Sequence, residues 1–97
     1  MALNVLVVDD SETVRSIILK TLKLSGLELN DPFQAANGRE ALAVLQENWV
    51  DLVLTDINMP DMGGVELIEH MKKDDVLKTI PVVVVSTEGS ATRIEDL

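Results

Sequence analysis

The segment DLVLTDINMPDMGG, residues 51 to 64, ends a short apolar run on an acid. Leu52, Val53 and Leu54 have the character of a strand covered on both faces. A carboxylate at its end, Asp56, is costly there unless a cation or a reaction offsets the burial. The pattern recurs in LNVLVVDD, which closes on Asp9 and Asp10, and a third apolar run, in IPVVVVSTEG, closes on the hydroxyls of Ser86 and Thr87 instead. The chain has no cysteine and one histidine, His70, so any metal must be held by oxygen or by that single imidazole. Oxygen donors point to a hard cation. Taken alone, Asp9 and Asp10 read more simply as a helix start, with Ser11 as cap and acid favoured by the helix dipole. Read together with Asp56 and Ser86, a binding site becomes the better reading. His70 lies in LIEHMKK among charges and reads as a surface residue.

Those side chains need elements to position them. The three apolar runs read as buried strands. Val14, Ile17, Ile18 and Leu22 recur at helical spacing after the candidate cap Ser11, and Ala41, Leu42 and Leu45 do so after Gly38. A third helix carries Val65, Ile68 and Met71, entered through Gly63 and Gly64, whose role reads as turn chemistry along with Pro60. In LELNDPFQAANG, Pro32 disfavours a central strand but permits an edge strand around residues 33 to 36. Trp49, the only tryptophan, is expected to pack at a helix end and to serve as a fluorescence reporter. The resulting order is strand, helix, strand, helix, strand, helix, strand and the start of a helix. Such alternation predicts βαβ units with right-handed crossovers, a parallel sheet and helices on both faces. In open sheets of this kind the ligand crevice lies beyond the carboxyl ends of the strands. If the first and third strands are neighbours, Asp9, Asp10 and Asp56 converge there.

The 97 residues form one domain by length, without a dividing linker or repeat. No run of eighteen apolar residues is present, and MALNVLVVDD has acid where a signal peptide needs a basic lead, so a soluble, cytoplasmic protein with no membrane partner is expected. Seventeen acidic against eight basic side chains give a net charge of −9, which argues against nucleic-acid binding by this segment.

VLVVDDSETVR, AANGREAL, DLVLTDINMPDMGGVELI and IPVVVVSTEG together resemble the receiver domain of two-component response regulators, most closely the stand-alone chemotaxis type. The resemblance implies a flavodoxin-like open parallel sheet of order 2-1-3-4. It further implies that Asp56 is the phosphoacceptor, that Asp9 and Asp10 hold Mg²⁺, and that Asn58 offers its backbone carbonyl to the metal. Ser86 would bond the phosphoryl group and act as the switch, with the Thr87 N–H beside it. The implied partner is a histidine kinase or phosphotransfer protein. Receivers continue into a fifth strand, ending in a lysine and a proline, and a fifth helix, whereas this sequence stops at Leu97. A truncated receiver over 1–97 is therefore expected, without the family's site lysine. Lys72, Lys73 and Lys78 are placed too far from the strand ends to substitute.

Three functions follow. The first is a phosphoacceptor receiver, impaired as the chain stands and with no enzymatic activity beyond its own phosphorylation and dephosphorylation. The second is an assembly module, a homo-oligomer joined through the edge Val82, Val83, Val84 and Val85 and through the first helix. The third is a Mg²⁺-dependent aspartyl-phosphate phosphohydrolase. That class requires Asp-x-Asp after the first strand, and here the aspartates are adjacent.

Overall fold

The computed structural model of the chain describes residues 2–85. Four short strands, β1 (Val5–Val8), β2 (Phe33–Ala35), β3 (Leu52–Thr55) and β4 (Val82–Val84), form one parallel sheet in the order β2-β1-β3-β4. Three helices connect them: α1 (Glu12–Leu24), α2 (Gly38–Glu47) and α3 (Gly64–Lys72). A 3-10 turn, Leu77–Thr79, leads into β4. This is the expected flavodoxin-like α/β architecture.

Burial explains why the central strands are apolar at every position but one, Thr55, whose buried Oγ1 donates to the Asp56 carbonyl at 2.9 Å. Leu6 and Val8 pack on one face with Val53 and the inward residues of α2 and α3, among them Ala41, Leu45, Leu67 and Met71. Val5 and Val7 pack on the other face with Leu54 and with Ile18, Leu19 and Leu22 of α1. Alternate side chains of one strand thus serve two cores, and a polar residue on either face must find a local partner, as Thr55 does. The β2 strand follows Pro32 and occupies an edge, where a missing N–H is tolerated.

Local signals set the helix ends. Ser11 caps α1 by accepting from the Val14 N–H at 3.2 Å, and Gly26 beyond its last turn takes a positive φ of 85°. For α2 the cap is Asn37, which accepts from the Glu40 N–H at 2.9 Å, while Glu40 reaches back to the Ala36 N–H at 3.0 Å. That reciprocal pair closely resembles a capping box and was present in the sequence as Asn-x-x-Glu. Two apolar helix positions depart from expectation, and one is Val65 of α3, 58% exposed, whose inward place is taken by Leu67. The other, Ile17, is 59% exposed, because Val14, Ile18 and Leu22 fall on the sheet-facing side and a residue one step before Ile18 is rotated about 100° away. No residue of α1 is fully buried.

Candidate functional site

The register of the sheet builds the site. Val8 pairs with Thr55, so the residues immediately following them, Asp9 and Asp56, leave adjacent strands side by side. The Asp56 N–H donates to the Val8 carbonyl at 2.9 Å and the Asp9 N–H donates to the Ala35 carbonyl at 3.0 Å. Both acids are therefore held by continuations of the sheet rather than by free loop. Asp10 joins them from the turn into α1. Each of the three offers a carboxylate oxygen within 4.8 Å of those of the other two.

Their environments differ. Asp9 is 3% exposed, Asp56 is half-buried and Asp10 is exposed. The Asp9 Oδ1 accepts from the Ser11 N–H at 2.8 Å and the Asp56 Oδ1 accepts from the Ile57 N–H at 2.7 Å. Each bond fixes a carboxylate plane while leaving the second oxygen outside it. Burial raises the Asp9 pKa above its ordinary value, and the charges of Asp56 and Asp10 add to the rise, while the Ser11 N–H opposes it. Among the described residues no cation forms an ion pair with any of the three acids. An all-oxygen donor set of converging carboxylates fits a small hard divalent cation, whose charge would reverse the mutual repulsion.

The loop after β3 folds back over the site. Neither Gly63 nor Gly64 has a positive φ; the left-handed residue of the loop is Asp61, at 68°. The two glycines are required for close approach instead. A Cβ on Gly64 would run into the Asp56 carbonyl oxygen, and one on Gly63 would lie 2.6 Å from the Ile57 carbonyl oxygen. The Gly64 N–H donates to that same Ile57 carbonyl at 2.8 Å. Reading these glycines as turn residues located them correctly for a different reason. Met62, buried, ties the loop to α2 by accepting from the Gly38 N–H at 2.8 Å. Met59 packs against the main core.

Asn58 is exposed within this loop. Ser86 and Thr87 lie outside the described residues, as does everything beyond them; Val85, just before, is held by its N–H to the Thr55 carbonyl at 2.9 Å. Lys72 and Lys73 end α3, and Lys78 sits in the turn ahead of β4, all at the opposite end of the strands from the acids. His70 is exposed, as expected. Trp49 does follow the end of α2, but it is 72% exposed, with its Nε1 donating to Asp51 at 3.1 Å. It precedes β3 while Asp56 follows it, so the strand's length of roughly 13 Å separates the ring from the acids, and it is badly placed to report on them. Sequence reasoning passed over Arg15. Its Nη1 donates to the Asp9 carbonyl at 2.6 Å and its Nε to Gln34 Oε1 at 3.0 Å, contacts that span three elements and leave no local motif.

A parallel sheet of this order with three acids at the carboxyl ends of β1 and β3 is a flavodoxin-like α/β fold with an acidic pocket at its strand ends, and the sequence identifies the family: the response regulator receiver domain matches residues 5–97, and the chain belongs to that family. Among its relatives, chemotaxis protein CheY1 of Helicobacter pylori is 39% identical over 93 residues, spanning 95% of this chain and 73% of CheY1. The phosphate regulon transcriptional regulatory protein PhoB of Escherichia coli is 33% identical over 89 residues, spanning 92% of this chain and 38% of PhoB. Of solved structures, chemotaxis protein CheY4 of Vibrio cholerae superposes with a TM-score of 0.77 at 35% identity, covering 98% of this chain and 77% of CheY4. The phosphorylated cyanobacterial phytochrome response regulator RcpA gives a TM-score of 0.82 at 29% identity, covering 98% and 72%. No helix among the described residues is long and apolar enough to cross a membrane.

Proposed function

We propose that this receiver accepts a phosphoryl group on Asp56, in the cytoplasm, from a histidine kinase or phosphotransfer protein. The observation that carries the reading is the convergence of Asp9, Asp10 and Asp56 at paired strand ends. Asp56 Oδ2, outside the Ile57 bond, attacks the phosphorus of the donor's phosphohistidine; the new P–O bond forms as the N–P bond breaks, and the imidazole leaves. Asp9, Asp10, Asp56 and the Asn58 carbonyl would hold Mg²⁺, which when bound supplies charge neutralisation for the transferring group. Ser86 and Thr87 remain the hydroxyl and N–H assigned to receive the phosphoryl oxygens.

As these 97 residues stand, no described lysine is close enough to pair with the phosphoryl group. A phosphoryl group with no cationic side chain beside it lacks a contact worth about 1.5–3 kcal/mol, so modification of this 97-residue polypeptide by acetyl phosphate with Mg²⁺ should be slow and partial. Intact-mass spectrometry reads the yield. Asp56→Ala should abolish it and weaken Mg²⁺ binding; an alanine variant that is still modified, or that binds Mg²⁺ like the unmodified chain, would show the site misplaced. Rapid, near-complete modification would show that another group stands in for the lysine. Turnover of a phosphate ester would favour the phosphohydrolase instead, whose Asp-x-Asp arrangement the adjacent Asp9 and Asp10 do not match.

A second reading, self-association, is favoured by β4. It forms the sheet edge among the described residues, with Val83 48% and Val84 46% exposed.

A further inference from the structure

We infer that Arg15 is a positioning residue for the acid centre, acting through the peptide that joins Asp9 to Asp10. This rests on the reading of those acids as holders of a divalent cation.

Three anchors fix Asp9, and they come from different elements. Its N–H is held by β2 through the Ala35 carbonyl, its Oδ1 by the Ser11 N–H, and its carbonyl oxygen by Arg15 Nη1 at 2.6 Å. The last bond is charge-assisted and short, which places it among the stronger contacts of its kind. A peptide unit is planar, so holding the Asp9 carbonyl also sets the direction of the Asp10 N–H and the position of the Asp10 Cα. Arg15 thereby governs the angle between a buried carboxylate and an exposed one. Among the described residues no other hydrogen bond holds the peptide between Asp9 and Asp10.

The guanidinium is itself fixed. Its Nε donates to Gln34 Oε1 at 3.0 Å, and Gln34 sits in β2 opposite Val7. Its own backbone N–H makes an early bond of α1, to the Ser11 carbonyl at 3.0 Å. The side chain is half-buried and bonds at two nitrogens whose fork geometry is rigid. A lysine could reach the Asp9 carbonyl but could not also satisfy Gln34. The arrangement bridges the first turn of α1, the end of β1 and the edge strand β2. Its free energy is directed at one carbonyl, that of the residue most deeply set in the acid cluster.

The test is Mg²⁺ titration of the 97-residue chain, read by calorimetry and by the amide NMR signal of Asp10. Arg15→Met keeps the aliphatic stem and removes the donors; it should weaken Mg²⁺ about tenfold, the size usual for loss of a group that orients a metal ligand. It should also shift the Asp10 amide signal before any Mg²⁺ is added, because that N–H belongs to the peptide that loses its donor. Arg15→Lys should restore the shift and most of the affinity. A folded Arg15→Met with unchanged affinity and an unmoved Asp10 signal overturns the inference, even if its thermal midpoint falls. Should Arg15→Met fail to fold, Gln34→Ala takes its place: it frees the Nε end of the fork and should cost about threefold, and an unchanged affinity there overturns the inference too. An unmodified chain that binds no Mg²⁺ overturns the acid-centre reading itself, an outcome distinct from normal binding that is indifferent to Arg15.

Discussion

Asp9 sits under two opposing demands. Burial, then the neighbouring charges of Asp56 and Asp10, favour its neutral form, while the Ser11 N–H favours the carboxylate, and the balance raises its pKa above the ordinary 3.8. A carboxyl whose folded pKa is raised contributes stability that is fully present below the unfolded value and lost as pH rises through the folded one. Ion-free protein at neutral pH therefore carries a cost at this residue. Asp9→Asn removes the charge and retains an oxygen to accept from Ser11, so it should raise the ion-free thermal midpoint at pH 7 by a few degrees. That gain should vanish near pH 3, and the stabilisation by added Mg²⁺ should shrink. Asp74 behaves oppositely: the Leu77 and Val76 N–H groups lower its pKa, giving stability present above 3.8 and lost as pH falls through its folded value. Because Asp74 is common to both chains, the difference between their midpoints, measured calorimetrically from pH 3 to pH 8, isolates Asp9. A difference that does not change with pH would remove Asp9 from the account. The acids themselves were legible in the sequence because each ends an apolar run. Arg15 was not, since its partners Asp9 and Gln34 are brought to it only by the crossover and the register of β2.

At the scale of elements, what positions Asp56 is the return of the loop onto its own strand end. The backbone at Gly63 and Gly64 passes so close to Asp56 and Ile57 that any Cβ must push backbone against backbone. Gly64→Ala should therefore destabilise the fold by about 1–3 kcal/mol, the usual cost of overpacking, and lower the yield of Asp56 phosphorylation by acetyl phosphate more than stability alone explains. Gly38→Ala meets mostly the flexible Met62 side chain, at 2.7 Å from Cγ and 2.9 Å from Sδ, and should cost less. Urea denaturation ranks the two, and an equal or reversed order would show that the loop, not the glycine, adapts. The elements were largely readable because parallel strands buried on both faces are almost wholly apolar, and because Ser11 and Pro32 mark their boundaries by known chemistry. The tightness of the loop was hidden, since Gly-Gly looks the same whether it supplies a turn or room for a neighbouring backbone. Trp49 misled for a related reason: a large apolar ring is expected to pack, but here Asp51, itself held by the Asn4 N–H at 2.8 Å, ties the indole N–H at the surface.

For the whole molecule, the balance lies between charge and exposed apolar surface. The chain carries −9, which opposes association of identical copies. Salt at 0.1 M screens that repulsion over about 10 Å, whereas each Å² of apolar area removed from water contributes roughly 25 cal/mol. Some of the exposed apolar side chains lie on surfaces that a second copy could cover. Val83 and Val84 lie on the edge strand, whose outer N–H and C=O groups have no strand beyond them among the described residues, and α1 contributes exposed Ile17 and no fully buried residue. An edge without charge or an internal proline is a template for strand pairing. A second copy related by a two-fold axis presents the same edge in return, so one contact satisfies both chains. We therefore expect a homodimer through β4, with α1 as the other candidate surface. Light scattering coupled to size exclusion should find it at tens of micromolar, increasingly so as salt rises. Val84→Lys adds a charge at the edge and should shift the population toward monomer without lowering the thermal midpoint, because the replaced side chain is already 46% exposed. A folded monomer for the unmodified chain across that salt range would sink the idea.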